Sequence, residues 1–167
     1  QDQKKKINID KKLGNFLQNK KVWCAASTHE TEEVICGMAH IQLKKKIKNL
    51  LTIIIPRHIS RCTQIKKDLE KLNLVVHTIG SHSNLTKNTD IFLINSYGKT
   101  KIFFNNSEHV FLGGSLIKHG GQNPLEPAMF GCNILHGPYV NNFKEIYQLL
   151  DGSGISQKIQ SQNHLIK

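Results

Sequence analysis

Val110-Phe111-Leu112-Gly113-Gly114-Ser115-Leu116-Ile117-Lys118-His119-Gly120-Gly121-Gln122-Asn123-Pro124-Leu125-Glu126-Pro127-Ala128 joins an apolar strand, a glycine-rich loop and a helix start in one run. Asn123-Pro124 reads as an N-cap followed by proline at the first helical position. Four glycines leave backbone N–H groups uncovered just ahead of that helix. Orphan N–H groups and the helix dipole both favour an anion there, so the loop is expected to hold a phosphate-bearing ligand.

The same alternation extends to both sides of this run. Val22 to Ala26 reads as a strand, followed by an amphipathic helix from Glu30 to Ile47, with Val34, Ile35, Met38, Ile41 and Leu43 near helical spacing. Leu51 to Ile55 is apolar throughout, as befits a strand covered on both faces. A helix over 60–72, strands at 74–76, 91–94 and 133–136, and helices over 124–130 and 142–150 complete the reading. Alternating β and α elements predict a Rossmann-like, doubly wound and mostly parallel sheet. Residues 1–20 read as a lysine-rich lead-in whose Ile7, Ile9, Leu13, Phe16 and Leu17 dock on the body. Residues 21–151 form the ligand-binding domain and 152–167 a tail that starts a truncated further segment. The chain opens at Gln1 with neither an initiator Met nor an apolar export segment, so a longer parent protein is expected.

The formal net charge of +11 is uneven: +9 falls on residues 1–71 and +2 on residues 72–167. Besides a solvated lysine-rich surface, this allows an anionic membrane or an anionic small substrate as partner. Nucleic acid is not expected, because aromatic residues make up only 7% and do not interleave with the lysines. Cys24, Cys36, Cys62 and Cys132 form no CxxC pair, and the nine histidines include no HExxH, so no metal or other cofactor is expected. Neither GxGxxG nor GxxxxGK[ST] occurs, and Ser115 lacks a GxSxG elbow.

In open α/β sheets ligands bind beyond the C-terminal ends of the strands. Ser27-Thr28-His29-Glu30, Pro56-Arg57-His58, Asn95-Ser96-Tyr97-Gly98, the glycine loop and Gly137-Pro138 all stand at such ends. Ser27-x-x-Glu30 and Asn123-x-x-Glu126 have capping-box spacing. Ser27 and Glu30 then start a helix, whereas His29 has no part in such a box. Arg57 reads equally as a surface ion pair or as a clamp on phosphate or carboxylate. Glu126 either caps its helix or accepts hydrogen bonds from nucleotide sugar hydroxyls.

Trp23-Cys24-Ala25-Ala26-Ser27-Thr28-His29-Glu30, Ile55-Pro56-Arg57-His58, Phe111-Leu112-Gly113-Gly114-Ser115, His119-Gly120-Gly121-Gln122-Asn123-Pro124-Leu125-Glu126-Pro127-Ala128, Gly137-Pro138 and Asn142-Phe143 resemble one family, in order and with matching spacing. That family is the 3-deoxy-D-manno-octulosonic acid (Kdo) transferases of Gram-negative lipopolysaccharide synthesis. The resemblance covers about residues 20–150. It implies one half of a GT-B glycosyltransferase, the half that binds the CMP-Kdo donor. The whole enzyme moves Kdo to the lipid A precursor at the cytoplasmic face of the inner membrane. Acceptor site, membrane anchor and catalytic base are expected in an absent N-terminal half, leaving this piece soluble, without a catalytic residue and inactive alone. The anionic inner-membrane surface is a further candidate partner.

Carried over by position, Gly113, Gly114, Ser115, Gly120 and Gly121 cradle the CMP phosphate, and Asn123 and Glu126 hold the ribose. Arg57 and His58 face phosphate or the Kdo carboxylate, and Ser27 and His29 lie near the transferred sugar. No metal is implied. Two departures stand out: Asn95-Ser96-Tyr97-Gly98-Lys99 replaces the family's usual Asp-Thr-Met-Gly-Glu, and Thr31 replaces a glycine. The competing readings are a GT-B donor domain for another nucleotide sugar and a basic module that binds anionic lipid.

Overall fold

The computed structural model describes residues 10–79 and 85–167, so Ile7 and Ile9 of the expected lead-in lie outside the described residues. Seven strands form one sheet: β1 (Lys21–Thr28), β2 (Leu50–Pro56), β3 (Val76–Thr78), β4 (Ile91–Leu93), β5 (His109–Leu112), β6 (Asn133–His136) and β7 (Ser156–Lys158). Their order is β3-β4-β2-β1-β5-β6-β7, and every neighbouring pair is parallel. The expected doubly wound parallel sheet is therefore the fold.

Period-two alternation divides the core between the two faces of the sheet. Cys24, Ala26, Ile53, Phe92, Val110 and Leu112 point to one face, where they meet Leu17, Phe103, Phe104, Tyr147 and Leu150. These come from α1 (Lys11–Gln18), α4 (Thr100–Asn105) and α6 (Lys144–Gly152). Trp23, Ala25, Ile54, Ile91 and Phe111 point to the other, against Cys36, Ala39, Ile65, Leu69 and Leu165. Those belong to α2 (Glu32–Lys44), α3 (Cys62–Glu70) and α7 (Gln162–Leu165). The last helix, α5 (Leu125–Met129), follows the glycine loop. Burying an Ile or Phe contributes about 1.5–3 kcal/mol, so these two apolar layers dominate stability.

Two segments differ from the sequence expectation. Lys11–Gln18, within the lead-in where no helix was expected, is a helix capped by Asp10, whose side chain accepts from Lys12 N–H. Its Leu13, Phe16 and Leu17 pack on the core as expected. Residues 152–167, expected as a tail, supply β7 and α7. Ile134 N–H donates to Ile155 O and Ile159 N–H to His136 O, so backbone pairing holds a strand whose own residues are polar. All four cysteines are buried free thiols.

The chain winds outward from β1, which has β2 on one side and β5 on the other. Winding reverses between the C-terminal ends of β1 and β5, the place where sheets of this kind bind their ligands. Ser27-His29 and Gly113-Ser115 meet there.

Candidate functional site

β1 ends in a register shift between Ala26 and Thr28, and Ser27 is the extra residue, at φ +55°. A non-glycine residue in the left-handed region costs about 1–3 kcal/mol and persists where its surroundings over-determine it. Here they do. Ser27 O accepts from His29 Nδ1 at 3.1 Å and borders the space where a Gly113 side chain would go. Gly113 N–H donates to Ala26 O at 2.8 Å, which closes β5 against β1.

The expected Ser27-x-x-Glu30 box does not form. α2 starts two residues later, at Glu32, and Glu30 is exposed. The reciprocal pair is His29 and Glu32: Glu32 N–H donates to His29 O, and His29 N–H to Glu32 Oε2. Glu33 accepts from Thr28 Oγ1 and takes both Arg61 guanidinium nitrogens, at 2.9 and 3.2 Å. The helix start is thus held by two buried carboxylates that face opposite ways. One of them reaches the glycine loop.

That contact corrects the expected phosphate cradle. Gly114 N–H donates to Glu32 Oε2 at 2.8 Å, and Ser115 and Leu116 N–H to Oε1 at 3.2 and 3.1 Å. Gly114 and Ser115 therefore have no N–H left for a ligand, and the N–H of Gly113 belongs to the sheet. Ser115 is fully buried; its hydroxyl donates to Leu112 O and accepts from Gly137 N–H. These three residues shape the loop from inside.

Further along, the loop doubles back, with Gly121 N–H donating to Gly114 O. Gly120, at φ +104°, accepts from Asn142 N–H and is packed against the Asn142 side chain. Tyr147 OH donates to Gln122 O at 2.8 Å, tying the loop to α6. The fold-back sets the His119 ring 4.1 Å from the His29 ring, and His58 lies edge-on to His29 at 6.1 Å. Gly114 lies beneath both His29 and His119. Three histidines from three strand ends thus converge.

His29 Nδ1 faces a carbonyl, which can only accept, so in the neutral ring Nδ1 carries the proton and Nε2 the lone pair. Burial and the neighbouring His119 push this imidazole below its ordinary value, against an opposing pull from Glu32 and Ser27 O. Nε2 is buried and meets no hydrogen-bond partner among the described residues. Arg57 and His58 have exposed side chains, and Arg57 N–H donates to Thr28 O, which fixes that turn beside β1.

Asn123 and Glu126 stand on the far side of the loop. Asn123 Oδ1 accepts from Leu125 N–H in a turn just ahead of α5, but the N-cap position itself is Pro124 rather than the expected Asn123. Glu126 does not complete the box; its half-exposed carboxylate lies 3.8 Å from Lys101 Nζ, a weak surface pairing that leaves it open to a ligand. The divergent loop 95–99 precedes α4, with Tyr97 and Lys99 exposed. Glu32 and His119 are the residues that sequence reasoning missed. Their signals were an acidic pair opening an otherwise apolar helix, and a histidine inside the glycine run.

No family model matches the chain. It is 36% identical over 142 residues to 3-deoxy-D-manno-octulosonic acid transferase of Haemophilus influenzae, covering 85% of this chain and 33% of that one. The transferase of the same name from Rickettsia bellii is 34% identical over 157 residues, 93% of this chain and 37% of the relative. A bifunctional glycosyltransferase/methyltransferase of Fusobacterium nucleatum is 29% identical over 96% of this chain and 25% of its own length. The chain thus spans about a third or less of these relatives. Among solved structures, the C-terminal CMP-Kdo binding domain of WaaA from Acinetobacter baumannii superposes with a TM-score of 0.84 at 28% identity, over 90% of this chain and 79% of that domain.

Proposed function

We propose that this chain, a member of the Kdo transferase family in sequence and fold, is the domain that holds the CMP-Kdo donor. The observation that carries this is its likeness, over nine-tenths of its length, to a domain that binds CMP-Kdo. The convergence of His29, His58 and His119 at the winding reversal, with Arg57 in the turn beside β1, supports it from the chain's own chemistry. When the sugar leaves CMP, negative charge grows on the phosphate. Catalysis by this domain then consists of cations and hydrogen-bond donors already in place for that charge. Arg57, His58, His119 and the Gly120 turn would meet the phosphate; Glu126, with Asn123, would receive the ribose hydroxyls. His29 Nε2, an acceptor, suits a sugar hydroxyl better than an anion.

In this reading the acceptor (the lipid A precursor), the catalytic base and the contact with the inner membrane's cytoplasmic face belong to the remaining length of the relatives. No described helix of this chain is long and apolar enough to cross a membrane.

Calorimetric titration with CMP and UDP tests the assignment. CMP binds in preference to UDP, and Arg57→Ala and Glu126→Ala each weaken CMP about tenfold or more, equivalent to about 1.4 kcal/mol. Unchanged affinity in both variants would sink the site, and preference for UDP would name a different donor. We also propose that the cationic side chains serve without a metal. EDTA is then expected to leave the CMP isotherm unmoved, and a loss of binding restored by Mg²⁺ would overturn that.

A further inference from the structure

Three consecutive N–H groups, of Gly114, Ser115 and Leu116, converge on one point, with Gly114 at φ +66°. Such concave runs of N–H groups bind anions. Here the anion is part of the protein. Glu32 is fully buried, and its two oxygens take these three bonds and a fourth from His29 N–H. Two bonds on each oxygen saturate a carboxylate. No room remains for a second anion, because a single added carbon on Gly113 would already lie 2.8 Å from Glu32 Oε2 and 2.6 Å from Thr28 Cα.

We propose that Glu32 is the fixed anion of the glycine loop: a positioning residue that sets the loop's shape and bars phosphate from its N–H nest. The same carboxylate ties together the turn that carries His29 and the loop that carries His119. The close approach of those two rings, tilted by 40° to each other, is therefore a consequence of Glu32. Any nucleotide phosphate is displaced outward, toward His119, Gly120 and Arg57. This last consequence rests on the donor reading; the occupancy of the nest does not.

Amide hydrogen exchange and chemical shifts of Gly114, Ser115 and Leu116 test the proposal. In the wild-type chain these amides are slow to exchange and do not respond to inorganic phosphate. Glu32→Gln keeps one acceptor oxygen and turns an NH₂ toward the donors. It is expected to speed their exchange about tenfold or more and to weaken CMP about tenfold, with the circular dichroism unchanged. Glu32→Ala empties the nest, so formate or inorganic phosphate, inert toward the wild type, slows exchange again in a saturable way and restores CMP affinity. A merely structural role would not give that rescue. Should neither variant fold, the wild type decides. Loop amides that exchange like exposed backbone, or that shift with inorganic phosphate, overturn the proposal. A wild-type chain with protected loop amides that fails to bind CMP would overturn the donor reading and leave the nest assignment standing.

Discussion

Asp90→Ala is expected to lower stability by about 3 kcal/mol, and the loss is expected to shrink as the pH falls from about 4 toward 2. Asp90 precedes β4 and is nearly fully buried. Its Oδ1 accepts from His40 Nε2 at 3.2 Å and Lys44 Nζ at 2.5 Å, and its Oδ2 from Val75 N–H at 2.9 Å. His40, wholly buried on α2, spends its other nitrogen on Thr52 Oγ1 of β2 at 2.8 Å. One carboxylate thus joins α2, β2 and the segments leading into β3 and β4. Truncation strands the His40 imidazole and the Val75 N–H, at about 1–3 kcal/mol for each unsatisfied buried group. Lys44 is half-exposed and returns to water, so its share is small. For a chain of this size the loss corresponds to a melting temperature about 6–12 °C lower.

The pH dependence has a definite sign. Burial pushes the Asp90 carboxyl up, but the hydrogen bonds from His40, Lys44 and Val75 outweigh it and hold the group well below its usual value. A carboxylate depressed in the folded state contributes stability fully above its unfolded value of about 4 and loses it as pH falls toward the folded one. Denaturant melts of wild type and Asp90→Ala should therefore converge between about pH 4 and pH 2. A gap that is constant or widens over that range would mean that Asp90 stabilises by packing alone.

What the sequence could show follows from how far each contact reaches along the chain. Leu51 to Ile55 announces a central strand because its apolar run is local. Ser156-Gln157-Lys158 announces nothing: an edge strand with polar side chains is held by backbone pairing to β6. Thr100–Asn105 was invisible for a similar reason, since Phe103 and Phe104 are adjacent and show no helical spacing. Strand-end logic brought Ser27, His29, Arg57, His58 and the glycine loop to one edge. The role of the loop's N–H groups was not legible, because Glu32 stands 82 residues before Gly114 and meets it only through the register of β1 with β5. A glycine loop marks where backbone is exposed to an anion; which anion takes it is decided by tertiary structure.

That decision explains why Gly113 is expected to tolerate no side chain. Gly113→Ala should cost about 3–5 kcal/mol, from overpacking of about 1–3 kcal/mol plus the hydrogen bonds lost when the loop withdraws. Its backbone has no positive φ, so the reason is space. An alanine Cβ would meet Ser27 O, Thr28 Cα and Glu32 Oε2, two of them backbone atoms that cannot rotate aside. β5 would have to part from β1, taking Gly114 and Ser115 away from Glu32. Gly152→Ala, near the end of α6 with nothing close to its Cβ position, is the control. It should be neutral or stabilising by up to about 1 kcal/mol. Thermal melts of the two variants beside wild type separate the cases. If Gly113→Ala melted within about 2 °C of wild type, a shift worth under about 1 kcal/mol, the tight seating of the loop on Glu32 would be wrong. The expected pattern also reaches the ligand: a loop pushed off Glu32 moves His119 away from His29, so nucleotide affinity should fall together with stability.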